Sequence, residues 1–320
     1  PYLQKVLASN SHFSLVDHGA GKSYLGLILY DLFLKEKGGD LFAIEHRPEL
    51  IQKAKILAAD SLILDLEDAV ATDAKVAARA NILAALETGF GYREAVVRIN
   101  SLNSQWGMED LKAFANSKAD AIVLPKVESA GQIQEVAALL DQSGARPDLT
   151  IWAMIETPMA IFKLEEIASA HPKLEALVLG TSDLVKDLHA RHTASRVETL
   201  SALSLSVLAA RAYGLCVLDG VHLSLDDEEG LRLSCIQGRD MGFDGKTLIH
   251  PKQIELANEF FGPSTQEIAE AQERIAAYDA AIQAGAGIAV LNGKLIEELH
   301  IQDAKRILAL AKAIESFASN

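Results

Sequence analysis

Short runs of β-branched and aliphatic residues alternate with stretches of apolar residues at helical spacing along most of this chain, which constrains the fold more than any other feature. Runs at Leu41–Glu45, Leu62–Asp65, Ala95–Asn100, Ala121–Lys126, Thr150–Glu156, Ala176–Gly180, Cys216–Gly220 and Lys246–His250 read as strands. Each is followed by a segment of helical periodicity, among them Pro48–Ala58, Asp73–Leu86, Ala130–Leu140 and Asp226–Met241. Strands separated by helices pair in parallel, because the helix carries the chain back to the starting edge. Eight such units within about 220 residues predict an α/β fold, a (β/α)8 TIM barrel with its site at the C-terminal strand ends. A doubly wound open sheet is the competing arrangement.

Both flanks exceed that count. The first forty residues hold an apparent strand at Phe13–Asp17, a Gly-rich turn at His18–Ser23 and an amphipathic helix to about Lys37. This is an extra N-terminal βα unit for which a closed eight-stranded barrel has no vacancy. Gly262-Pro263-Ser264 ends the eighth unit, and helical patterns at Thr265–Ala284 and His300–Ser316 flank a strand or loop at Gly285–Asn292. The expected organisation is therefore residues 1–40 as an extra βα segment, 41–262 as the barrel and 263–320 as a C-terminal helical lid.

The chain carries 30 basic and 44 acidic residues, a net charge of −14, which argues against nucleic acid as a partner. The longest apolar runs, such as Gly285–Leu291, fall short of the roughly 20 residues of a membrane helix, and the N-terminus lacks a signal-peptide pattern. The two cysteines, Cys216 and Cys235, have neither disulfide-framework nor metal-motif spacing; two buried thiols in a reducing cytoplasm are expected.

Several strand ends carry charges that a core disfavours. Strand two ends Leu64-Asp65-Leu66-Glu67-Asp68, strand five ends Ile155-Glu156-Thr157-Pro158, and strand six runs into Gly180-Thr181-Ser182-Asp183. Acids from three strands on one rim repel each other unless a cation or protons lie among them. Glu156 and Asp183, two carboxylates without a His/Cys cluster, suit Mg2+ better than zinc; helix capping by Asp183 and a surface role for Glu156 are the alternative. Arg98, inside the β-branched run Val96–Ile99, needs an anionic partner, either a rim carboxylate or a substrate carboxylate. Lys126 is expected to pair with Glu128 or Glu67 rather than form a Schiff base, and His222 and His250 to make structural hydrogen bonds rather than donate protons.

In order and spacing, Leu64–Val70, Val97–Asn100, Leu124–Ser129, Met154–Pro158, Gly180–Leu184, Leu218–Leu223 and Gly242–Ile254 resemble the citrate lyase β-subunit-like family, which includes malyl-CoA and β-methylmalyl-CoA lyases. The resemblance covers roughly residues 41–320. It implies a Mg2+-dependent carbon–carbon lyase that cleaves or forms an acyl-CoA thioester such as malyl-CoA, with a 2-oxo acid such as glyoxylate as the other partner. It further implies Glu156 and Asp183 as metal ligands, Arg98 with Arg47 and Thr181 on the substrate, and Glu67 and Asp68 behind them. Glu297 would be a lid acid serving a neighbouring subunit, within a homo-oligomer, a trimer or hexamer. The alternatives are a malyl-CoA-type thioesterase, a catalytically silent scaffold and a methyltransferase.

The last rests on residues 13–57, which resemble the opening of an S-adenosylmethionine-dependent methyltransferase, with Leu15–Gly21 as the glycine loop and Glu45 as the ribose acid. Gly21-Lys22-Ser23 lacks the earlier glycine of a phosphate loop, since Val16 stands there. Where the lyases carry Val-Pro-Gly before Arg-Pro-Glu, this chain has Ala43-Ile44-Glu45-His46-Arg47-Pro48-Glu49. The expectation is therefore a chimera of two families.

Overall fold

The computed structural model describes residues 26–30 and 48–318. The chain divides into two compact units between Ala257 and Asn258.

The first unit is built on a parallel sheet. Strands β2 (Ser61–Asp65), β3 (Glu94–Arg98), β4 (Ala121–Leu124), β5 (Thr150–Ile155), β6 (Leu174–Leu179), β7 (Cys216–Asp219) and β8 (Gly245–Leu248) pair in sequence order. They make a seven-stranded curled sheet. Strand β1 (Gly26–Tyr30) pairs in parallel with β2 on one side and β8 on the other, so the described strands close as a barrel. Most residues of β2 to β8 are buried, as expected where both faces of a parallel sheet are covered. Side chains at every second position, Ala121 and Val123, Trp152 and Met154, Ala176 and Val178, Cys216 and Leu218, share one buried cluster, the alternation that a strand imposes on its two faces.

Helices alternate with the strands: α1 (Pro48–Ala54), α2 (Lys75–Thr88), α3 (Gly107–Ala115), α4 (Ala130–Gln142), α5 (Pro158–Phe162), α6 (Leu164–Ala168), α7 (Thr181–Asp187), α8 (Leu200–Tyr213) and α9 (Glu228–Met241). On α4 the buried residues Ile133, Val136, Ala137 and Leu140 form a stripe spaced at three and four residues, the core face of a helix covering a sheet. Helix α10 (Ile254–Phe261) contains the division between the units.

The expected first strand, Leu41–Glu45, lies outside the described residues, as do Phe13–Asp17, Arg47 and the glycine loop. The place beside β2 belongs instead to Gly26–Tyr30, which the sequence reading put inside a helix of an extra unit. Leu27-Ile28-Leu29-Tyr30 is a continuous apolar run, and such a run suits a buried strand as well as a buried helix. The edges of β2 and β8 decide between them, because each carries unpaired backbone groups that this segment satisfies.

The second unit pairs helices α11 (Thr265–Gln283) and α12 (Glu298–Ala318) around a hairpin of β9 (Ala289–Leu291) and β10 (Lys294–Ile296). Ser264 and Glu267 form a capping box at the start of α11. The hairpin turns at Asn292-Gly293, both at positive φ (51° and 75°), the conformation that a tight two-residue turn demands. Ala289, Ile296 and Ile301 are buried against Ile275, Tyr278 and Ala281.

Candidate active site at the strand ends

Arg98 is the last residue of β3 and is fully buried. Its strand register sets it beside Asp65, the last residue of β2, and the two side chains form a bidentate ion pair, Nε to Oδ1 at 2.5 Å and Nη2 to Oδ2. Asp65 also fixes the turn that follows, accepting hydrogen bonds from the backbone N–H of Glu67 (2.9 Å) and Ala69 (3.1 Å). That turn presents Glu67 and Asp68, whose carboxylates lie 3.0 and 3.8 Å from Nη1 of Arg98. The partner that the buried guanidinium needs is thus supplied by the protein. Among the described residues Oε2 of Glu67 makes no hydrogen bond of good geometry, and it faces Nη1 of Arg98.

Lys126 follows β4 in a left-handed conformation (φ 49°) that costs a residue with a Cβ about 1 to 2 kcal/mol. The conformation has a use: its backbone N–H donates to Oε1 of Glu156 at 2.8 Å while its ammonium lies 3.2 Å from Oε1 of Glu67. Of the two partners expected for Lys126, the structure selects Glu67 over Glu128.

Glu156 sits between the end of β5 and the Thr157 cap of α5, where Thr157 Oγ1 accepts from Ala160 N and Pro158 opens the helix. Glu156 is 1% exposed. A Cβ on Gly180 would come within 2.6 Å of its Oε2, so the glycine after β6 makes room for this carboxylate. Asp183 stands in the first turn of α7, its Oδ1 3.1 Å from the exposed Lys186 ammonium. Thr181, buried at the start of α7, lies against Gly220 after β7, where a Cβ would overlap its side chain.

Burial and the neighbouring Asp68 raise the Glu67 carboxyl to about 8, against the lowering pull of Lys126. Burial raises Glu156 to about 7, opposed by Arg98 and by the Lys126 backbone. Burial also pulls Arg98 down to about 9, which leaves it charged at neutral pH, whereas Glu67, Asp68 and Glu156 outweigh partial burial to lift Lys126 to about 12. Five carboxylates, those of Asp65, Glu67, Asp68, Glu156 and Asp183, thus gather about two side-chain cations, Arg98 and Lys126. Among the described residues no group of three or more His, Cys, Asp or Glu side chains has the arrangement of a preformed metal site. Glu156 and Asp183, which interact electrostatically with each other, carry oxygens of the kind that a hard cation takes.

Arg47 lies outside the described residues, and Glu297 belongs to the second unit, where its backbone N–H donates to Nδ1 of His300 (3.0 Å). His250 caps the turn at Pro251–Gln253, while Nε2 of His222, 3.5 Å from Asp227, makes no hydrogen bond of good geometry among the described residues. Sequence reasoning missed two features. Asp219, at the end of β7, is buried between Lys246 (2.8 Å) and Arg196, and Lys246 also donates to Gly220 O at 2.5 Å. Lys75 donates to the main chain of the Glu67 turn. The signal for the first was a lysine within the expected strand Lys246–His250; for the second the sequence held none, because a lysine in a helical pattern reads as solvent-facing.

A model of the HpcH/HpaI aldolase/citrate lyase family matches residues 40–251. The (3S)-malyl-CoA thioesterase of Cereibacter sphaeroides is 50% identical over 281 residues, 88% of this chain and 96% of that protein. The citrate lyase subunit beta of Leuconostoc mesenteroides subsp. cremoris is 36% identical over 279 residues, covering 85% and 92%. Among solved structures, the protein CitE of Mycobacterium tuberculosis in complex with magnesium, acetoacetate and coenzyme A aligns with a TM-score of 0.71 at 30% identity, covering 90% of this chain and 97% of that one. Two expectations change. The carbon–carbon lyase, with its 2-oxo-acid partner, gives way, because the relatives at 49–50% identity are named as thioesterases. The methyltransferase half of the chimera finds no support: the family match begins at residue 40, inside the segment assigned to it, and Gly26–Tyr30 pairs into the parallel sheet. The glycines and the single acid behind that reading are too weak a pattern to identify a fold. The chain belongs to the HpcH/HpaI aldolase/citrate lyase family.

Proposed function

We propose that this protein hydrolyses a malyl-CoA-type thioester to the free acid and CoA. The observation that carries the reading is the 50% identity to a (3S)-malyl-CoA thioesterase over 96% of that protein's length. The strand-end cluster supports it. A 3-hydroxyacyl thioester with a free carboxylate at its other end brings negative charge into an acidic rim, and it needs a cation to do so. Glu156 and Asp183 would hold Mg2+, which supplies Lewis-acid neutralisation of substrate oxygens when bound. The same ion accompanies acetoacetate and CoA in the solved CitE relative.

The remaining work falls to side chains of this chain. Arg98, locked by Asp65, holds Glu67 and Asp68 at a fixed distance from the rim. Glu67, raised to about 8, keeps its proton at neutral pH and can donate it. Water adds to the thioester carbonyl, the C–S bond breaks, and the departing thiolate takes the proton of Glu67. The proton released by the attacking water returns to that carboxylate, so the group ends as it began. Thr181, beside Gly220, contributes a hydroxyl at the same rim.

The test is incubation of purified protein with (3S)-malyl-CoA, with Mg2+ and with EDTA, reading free thiol and identifying products by mass spectrometry. Free CoA and malate, dependent on Mg2+ and lost in Glu156→Gln, are expected. Acetyl-CoA as the main product, or no turnover by folded protein, overturns the reading.

A further inference from the structure

Lys75 is the first residue of α2, and it is 6% exposed. Two physical costs attach to that position. A buried ammonium loses its hydration, and the first turn of a helix presents partial positive charge that repels a cation. Its contacts within the described residues are two backbone carbonyls, Leu66 O at 2.8 Å and Glu67 O at 2.5 Å, and the ring of Trp106, whose centroid lies 5.5 Å away. Among the described residues no carboxylate forms an ion pair with it. A charge kept there at such expense, and spent on the main chain of one turn, points to that turn as its purpose.

One helical turn further along α2, Arg79 reaches the neighbouring rim. Its Nε lies 2.7 Å from Oδ1 of the fully buried Asp110. The other oxygen of Asp110 accepts from Asn100 twice, from N at 3.0 Å and Nδ2 at 2.6 Å. Residues four apart share a helix face, so α2 grips the segment after β2 with Lys75 and the segment after β3 with Arg79. Glu67 belongs to the first of these segments, and Arg98, 3.0 Å from it, ends the strand that leads into the second.

We propose that Lys75 is a positioning residue: together with Arg79 it braces the two strand ends, and through the main chain it sets where the Glu67 carboxyl stands relative to Arg98. Asp65 takes the amides of the turn and Lys75 takes its carbonyls, so the backbone of the Glu67 turn is held from both sides. The inference rests on the thioesterase reading for its kinetic expression, but its geometric content stands apart from it.

The experiment compares wild type, Lys75→Met and Lys75→Arg in steady-state hydrolysis of (3S)-malyl-CoA, with a thermal melt of each and a crystal structure of Lys75→Met. A methionine fills similar volume without charge; an arginine restores donors that can stack on the indole. The expected result is a kcat lower by at least about tenfold in Lys75→Met with KM within about threefold, and recovery of most of that loss in Lys75→Arg, since small misplacements of a reacting group lower turnover more than binding. In the crystal structure the Glu67 turn is displaced and its contact with Arg98 lengthened. An unchanged kcat, or an undisplaced turn in Lys75→Met, overturns the proposal. A loss of kcat that disappears at a temperature where Lys75→Met is fully folded also overturns it, by reducing Lys75 to a stabilising role. If Lys75→Met does not fold, Lys75→Gln, which keeps a donor without the charge, takes its place in every measurement. Inactive wild type would count against the thioesterase reading alone, and the displacement of the turn would then decide for or against Lys75.

Discussion

Arg98 holds three acids in place from a position with no access to water, so its removal is expected to be felt in stability as well as activity. Arg98→Met removes the bidentate partner of the buried Asp65, and breaking such a pair from one side costs about 3 to 5 kcal/mol. Urea unfolding of the variant checks this; a cost under about 1 kcal/mol would show that Asp65 finds another partner. Lys126 makes a different prediction because its main chain and side chain do separate things. Lys126→Gly keeps the N–H that donates to Glu156 and removes the Cβ from a left-handed conformation, so stability is expected to hold or rise by up to about 1 kcal/mol. Losing the ammonium leaves Glu67 with less opposing charge, which raises its carboxyl further and moves the pH–rate profile upward. A melting curve and a pH profile on one variant check both halves. These residues were legible in the sequence because a charge ending a β-branched run has few harmless explanations. Lys75 was not, because its burial depends on how the turn at Leu66 and Glu67 folds back over the start of α2.

Glycines at the joints between strands and helices set how closely the rim elements approach. Gly180 joins β6 to α7, and Gly180→Ala would drive a methyl group into Glu156. Overpacking of this kind costs about 1 to 3 kcal/mol, and because the atom met is a carboxylate of the site, hydrolysis should fall well beyond what the loss of stability explains. Gly287→Ala, where no atom of the described residues lies within 4 Å of the added carbon, should change neither melting temperature nor turnover. Equal effects of the two substitutions would remove the steric account. Seven of the eight strands read from the sequence occur within a residue or two of their expected limits, since an apolar run bounded by polar turns has few other uses in an α/β chain. The first strand was misplaced for the reason that makes short apolar runs ambiguous: Leu27–Tyr30 has no alternation, and only the open edges of β2 and β8 identify it as a strand.

Among the described residues, three carboxyls are pushed upward by burial: Asp60 from 3.8 to about 8, Glu67 from 4.5 to about 8 and Glu156 from 4.5 to about 7. A group whose folded pKa exceeds its unfolded value binds its proton more tightly when folded, so its contribution is complete below about pH 4 and is lost as pH rises towards 8. In EDTA the melting temperature is therefore expected to fall between pH 6 and pH 8.5, and Mg2+ to restore it more at the higher pH, where Glu156 need not release a proton to bind. A melting temperature that rises with pH in EDTA would contradict the burial of these acids. The family's carboxylate pattern was readable along the chain, but this titration was not, because a pKa follows from depth, and depth follows from closure of the sheet. That closure has a consequence for how the fold is reached. Strand β1 finds its second neighbour in β8, with Gly26 beside Gly245, roughly 220 residues later in synthesis. A chain leaving the ribosome carries β1 with one unmatched edge until nearly all of the first unit has emerged, so ring closure should be the last and slowest event of refolding, and the step at which a chaperone has most to shield.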